Sequence, residues 1–245
     1  MRVMRQFLTP LAICGLMLMA ACTSSAPTTR GEAKGAPMVP LELAQSDVNR
    51  MATLAMRDNL DSLLRIAEKL YKRNPAEWRK TGAASRDAAL AQLRKSIESL
   101  APWPELQGKR DIAALSLALG SDFTGDRVAA FVYASADMLV TAHGGKTRIY
   151  LVDSLDAQYI YNAARNIEIA VWLLSSRRNP AGQTLLLADE ISGPDRNLSF
   201  EREFGKMIGR LDLLAEVVIE KYRRAVISYM QNFVGGTFLQ FLPVR

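Results

Sequence analysis

From Gln45 onward, apolar residues recur every three or four positions, the spacing of helices that each bury one face. Met56, Leu60, Leu63, Ala67 and Leu70 form the first such stripe and predict a helix over 46–73. On its polar face, Asp61/Arg65 and Glu68/Lys72 stand four apart in the order that favours ion pairing. Asn74-Pro75 closes that helix and opens a short turn, with Asn as cap and Pro at the first helical position. Ser85 is placed to cap a second helix reaching about Ala101, with Ala89, Leu93, Ile97 and Leu100 inside. A third runs from about Lys109 to Leu119. Thr124-Gly125-Asp126 opens a fourth, rich in small residues, which Gly144-Gly145 ends after Ala142 by supplying the left-handed conformation. Asp153 or Ser154 begins a fifth that reaches about Ser176, with Ile160, Ala164, Ile167, Val171 and Leu174 on one face.

Ser199 starts the longest helix, to about Tyr229, or ~45 Å at the usual rise. Its stripe is Phe200, Phe204, Met207, Leu211, Leu214, Val218, Tyr222, Ala225 and Tyr229. Gly205 and Gly209 lie four apart on it, each at a propensity cost of ~1 kcal/mol. That cost predicts close approach of another helix, for which the small-residue stretch 126–142 is the natural partner. Glu203, Lys206, Arg210 and Asp212 exclude a membrane-spanning segment here. Arg148–Val152 leans towards strand without a clear partner, and 185–188 is ambiguous between strand and loop. The sum is an all-α (mainly α) fold: a single domain of about five to seven helices over 45–245, ending in a long helix.

The first 45 residues read differently. Arg2 and Arg5 precede an apolar run from Phe7 to Met19, and Ala20-Ala21 supplies the small residues of a cleavage site. The run is too short to span a ~30 Å hydrocarbon layer as a stable helix, so residues 1–21 read as a cleaved export signal. Leu18-Met19-Ala20-Ala21-Cys22 resembles the lipobox of bacterial prolipoproteins, with Met19 where Leu is usual. Cys14 fits that motif less well, because Ile13 is too large for the cleavage position. The resemblance implies acylation of Cys22, three acyl chains on the mature protein, and a membrane anchor. Thr23 is not the Asp of the family's inner-membrane retention signal, so the resemblance implies the outer membrane, with the body at its periplasmic face.

Cysteine usage agrees with that expectation. Only Cys14 and Cys22 exist, so the mature chain would carry one thiol at its first residue and none for a disulfide. Residues 22–44 are rich in Ser, Thr, Pro and Gly and read as a flexible tether with a reach of ~20–25 Å. Removing Arg2 and Arg5 lowers the formal charge from +6 to +4, a mild balance without the clustered Lys/Arg of a nucleic-acid surface.

Candidate chemistry is sparse. His143 is the sole histidine and sits at a helix end, where the helix dipole would favour its charged form. One histidine and no spare cysteine make a zinc site improbable, and nothing calls for a cofactor. His143-Gly144-Gly145-Lys146 has the wrong spacing for a phosphate-binding loop. Asp137 and Glu168 lie within apolar helical runs, where a buried carboxyl would have a raised pKa and could act as a general acid on a cell-wall polymer. Arg165, three residues before Glu168, offers the plainer alternative of an ion pair. Tyr159, Tyr161, Asn162, Arg165, Asn166 and Glu168 form the densest polar and aromatic stretch and rank first as a binding surface, set against helices 126–142 and 199–229. The apolar C-terminus, 233–245, is expected to fold back over the core, with an exposed contact patch for a partner or lipid as the alternative. These features favour a lipid-anchored binding or scaffolding protein, with a peptidoglycan hydrolase using Asp137 or Glu168, or a carrier of an apolar ligand, as alternatives.

Overall fold

A computed structural model describes residues 39–192 and 195–239, with backbone only for 190–192, 195–196 and 234–239. Residues 1–38 and 240–245, and with them the export signal, Cys22 and most of the tether, lie outside the described residues. The described chain is all-α. Its helices are α1 (Asp47–Arg73), α2 (Pro75–Arg79), α3 (Arg86–Ser99), α4 (Asp111–Ala118), α5 (Arg127–Ala142), α6 (Ala157–Ser176) and α7 (Ser199–Leu239). The strands β1 (Glu190–Ser192) and β2 (Asp195–Asn197) form a small antiparallel ribbon before α7.

The centre of the body is α5. Thirteen of its sixteen residues are buried, from Arg127 to Val140. A helix that is apolar on every side must be surrounded, and α1, α3, α4 and α6 pack around it. Its alanines let those neighbours approach, while Phe131 meets Phe204 of α7 edge-on at 6.4 Å. The stripes read from the sequence point inward as expected on α1 (Met56, Leu63, Ala67, Leu70), α3 (Ala89, Leu93, Ile97) and α6 (Ile160, Ala164, Ile167, Leu174). Leu100 is an exception. It follows α3 in the left-handed conformation, φ 52°, and its side chain stays largely exposed.

The termini follow capping chemistry. Ser85 Oγ accepts from Ala88 N–H, as predicted, and Asp126 Oδ1 accepts from Ala129 N–H. Gly144 and Gly145 both adopt positive φ, 74° and 76°, which frees α5 to stop. The start of α6 lies three residues later than expected, capped by Asp156. Asp153 is occupied elsewhere, pairing with Lys146 and accepting from Tyr150 N–H at 2.8 Å. Asn74 does not cap α2 with its side chain. It binds Leu187 instead, donating to its carbonyl at 3.0 Å and accepting from its N–H at 2.8 Å.

The two ambiguous segments are loops held by side chains. Ile149 is buried, its N–H donating to Thr53 Oγ1 and its carbonyl accepting from Gln45 Nε2, while Tyr150 O accepts from Asn49 Nδ2. With Gln45 and α1 satisfying this backbone, no strand partner is needed. Pro40–Ala44, placed with the tether by composition, forms a 3-10 turn whose Ala44 carbonyl accepts from Leu151 N–H. Leu186 is buried beside the Asn74 clamp.

The expectation for Gly205 and Gly209 is overturned. A Cβ at either position would meet nothing within 4 Å, and both face solvent. The reason lies in the partners of α7, which packs along α6 and α1 through the opposite stripe from Phe200 to Val218. With no approaching helix to compensate, each glycine is simply a weak point. Gly205→Ala and Gly209→Ala should each raise stability by about 1 kcal/mol in denaturant unfolding. A loss of stability would show that a neighbour abuts them.

Candidate functional site

The sequence-predicted surface lies on the outer side of α6, beside α7. At helical spacing, Tyr161, Arg165, Glu168 and Trp172 share one face, joined by Ile169. Arg165 organises it. Its Nη2 donates to both Asp212 oxygens at 2.8 Å, Nη1 lies 3.1 Å from Glu168, and the guanidinium stands 5.0 Å from the Tyr161 ring centroid. One arginine thus ties α6 to α7 and stacks on an aromatic ring, the two uses that suit its planar fork. Both partners in the Arg165–Asp212 pair are over a third exposed, so the pair contributes little stability, about 1 kcal/mol or less.

Beside this network lies an open groove of ≈ 530 Å³ between the two helices, walled by Tyr161, Arg165, Asp212, Ala215, Glu216 and Ile219. The ridge next to it is aromatic and wet: Tyr161 is 46% and Trp172 62% exposed. Such exposure of large amphipathic rings is the feature that distinguishes contact surfaces from ordinary ones. Of the six predicted residues, Tyr161, Arg165 and Glu168 come together here. Tyr159 points from a different side of α6, and Asn162 is engaged by Gln158 at 2.8 Å. The predicted wall from helix 126–142 is not part of the groove, because α5 lies behind α6 on its buried side.

The two acids singled out for burial are not buried. Glu168 is exposed and paired with Arg165. Asp137 is gripped by Arg110, whose Nε and Nη2 donate at 2.9 and 2.6 Å. The hydrogen bonds and charge of Asp137 in turn hold the Arg110 guanidinium above its usual pKa. Both Asp137 oxygens are taken up by Arg110, the arrangement of a structural ion pair. Apolar neighbours in sequence mislead here, because Asp137 sits at the rim of α5 where Arg110 can reach it.

The buried acids lie elsewhere. Asp126, 1% exposed, accepts from Tyr71 Oη at 2.6 Å as well as capping α5. Burial pushes its carboxyl above the usual range despite those bonds, and burial likewise pushes the Tyr71 hydroxyl up. Glu77 accepts from Arg127 N–H and from Lys80 at 2.8 Å each, while Arg127 donates to the carbonyls of Ala118, Gly120 and Ser121. This knot fastens the start of α5 to α1, α2 and the end of α4. Glu203 is raised by burial, but hydrogen bonds from Lys206 and Arg65 outweigh that and leave its pKa below the usual range. Arg65 therefore serves α7 at 3.1 Å and not Asp61 of its own helix. Both clusters satisfy their own members, as structural networks do.

A second groove, ≈ 470 Å³, has an apolar floor of Val171, Leu174, Leu186 and Phe204 under a rim carrying Arg178, Asp189 and Glu201. It too opens to solvent, unlike the enclosed cavity expected of a carrier. Among the described residues, no three His, Cys, Asp or Glu side chains gather to hold a metal ion. No protein-family model, curated protein or solved structure matches this chain.

His143 departs from expectation in its charge. It is 2% exposed, and its Nδ1 lies 2.8 Å from the Leu139 carbonyl, which can only accept, so Nδ1 carries the proton. Burial lowers its pKa and outweighs that hydrogen bond, so the folded protein holds a neutral imidazole. The unfolded chain takes up a proton below about pH 6.5 that the fold resists. Stability is therefore full above that pH and falls as pH drops below it. His143→Gln, which can keep the bond to Leu139, should flatten the loss between pH 7.5 and 5.5 in denaturant titrations; an unchanged slope would show that the imidazole takes up its proton equally in the folded and unfolded chains.

Proposed function

We propose that this chain is a lipid-anchored cell-envelope protein whose helical body is a binding or scaffolding module at the periplasmic face of the outer membrane. The anchoring half of the reading rests on Leu18-Met19-Ala20-Ala21-Cys22 and on the absence of any other cysteine from the mature sequence. The binding half is carried by the exposed Tyr161–Arg165–Trp172 ridge beside the α6–α7 groove. Its chemistry suits a protein or peptide partner: aromatic faces for area, an arginine already stacked and oriented, and Asp212 and Glu216 in the groove for polar contacts. The hydrolase alternative draws no support from Asp137 or Glu168, each held in an ion pair outside the core.

Intact-mass analysis of the mature protein should show an acylated Cys22, and Cys22→Ser should move the protein from the membrane to the soluble periplasmic fraction. An unmodified N-terminus on a membrane-bound protein would refute the anchor. For the binding surface, in-cell crosslinking should give an adduct that is lost in Tyr161→Ala/Trp172→Ala and kept in Leu213→Ser, a substitution of an exposed apolar residue on α7. An adduct unaffected by the double change would remove this ridge from consideration.

A further inference from the structure

Beyond Val218 the body reaches α7 through the Tyr222 hydroxyl, which donates to the Leu155 carbonyl at 3.4 Å, yet the helix and its apolar stripe continue exposed. Val218 is 1% exposed, whereas every residue from Ile219 to Phe233 is exposed. Tyr222 and Tyr229, read from the sequence as core positions, are 52% and 71% exposed. Of the C-terminal stretch expected to fold back, Phe233 is 67% exposed and the helix backbone continues to Leu239; the side chains of 234–239 and residues 240–245 lie outside the described residues.

This arm has two chemically distinct sides. At about 100° per residue, Ile219, Tyr222, Val226, Tyr229 and Met230 fall within an arc of about 100°. Lys221, Arg224, Ser228 and Asn232 lie on the opposite side, with Arg223 and Ile227 along the border between the two. Between Ile219 and Phe233 the sole acid is Glu220, and Arg223 pairs with it at 2.6 Å, leaving the charges of Lys221 and Arg224 uncompensated within the segment. Apolar and aromatic residues on one face with cations on the other are the make-up of a helix that lies in a membrane interface and prefers anionic headgroups. Among the described residues no helix is long and apolar enough to cross a membrane, which leaves lying along the surface.

The rival occupant is a second copy of the arm. Ile219, Tyr222, Val226, Tyr229 and Phe233 do follow a 3-4-3-4 spacing. However, tyrosine fills both positions where a parallel pair prefers leucine, and the seam is about two heptads long. The flanking positions are Arg223, Ala225, Met230 and Asn232, which offer no acid to Arg223 of a partner. Charge complementarity therefore selects the bilayer.

We propose that the arm of α7, residues 219–233, lies in the interface of a membrane containing anionic lipid, with Val226, Tyr229 and Met230 towards the acyl chains and Lys221 and Arg224 towards the headgroups. This contact does not depend on acylation of Cys22, and the test keeps the two apart. In the full chain with Cys14 and Cys22 replaced by serine, a single cysteine at Val226→Cys or Ser228→Cys carries a polarity-sensitive nitrobenzoxadiazole label. With phosphatidylglycerol-containing vesicles, the label at 226 should shift to the blue and brighten severalfold, and that at 228 should not. Pure phosphatidylcholine should give a much weaker response, as should Lys221→Glu/Arg224→Glu with the anionic vesicles. Silence at 226, equal responses at 226 and 228, or equal responses to the two vesicle types would overturn the proposal. A blue shift without vesicles that grows with protein concentration would overturn it in favour of the second copy.

Discussion

A helix without a polar face dictates this architecture. Because α5 is apolar almost all the way round, it has no orientation in which part of it can face water, and α1, α3, α4 and α6 must close around it. That requirement also explains where the polar chemistry went. The exposed amides at the start of a central helix need acceptors, and Asp126 and Glu77 supply them from inside the protein. Removing either carboxylate from water is tolerated because Tyr71, Lys80 and backbone donors converge on the pair. The tightest polar cluster is thus a consequence of packing.

The outer layer is tied on differently. α7 meets the body through a long apolar stripe, and arginines from both sides stitch its edges: Arg65 to Glu203, Arg210 to Asn59 and Ser62, Arg165 to Asp212. All three join α7 to α1 or α6, so those two helices set its position. The α6–α7 groove lies along one of these seams.

Local periodicity carried most of the fold. Stripes such as Met56–Leu70 and Ile160–Leu174, the Ser85 cap and the Gly144-Gly145 stop depend on neighbours within a turn or two, and these were readable. What was not readable depends on partners far along the chain. Arg65 has an acid four residues away and ignores it for one 138 residues distant. Asp137 looks buried among apolar letters until Arg110 arrives from α4's edge. His143 reads as a charged helix terminus until its burial is known. The stripe on α7 was legible in full, but a stripe does not say how far its cover extends, and here burial ends at Val218. Of the candidate surface, the one-face set Tyr161, Arg165 and Glu168 and the opposing wall from helix 199–229 were both present in the sequence, whereas the second expected wall, 126–142, is shut off behind the buried side of α6.

One property of α7 has mechanical meaning. The same unbroken rod that carries Asp212 and Glu216 at the groove also carries Val226 some fourteen residues on, about 21 Å away. A continuous helix transmits rotation and tilt along its length with little give, since each turn is locked to the next by backbone hydrogen bonds. Whatever grips the free end therefore sets the angle at which the groove is presented to its surroundings. The molecule has in effect a handle and a jaw machined from one piece.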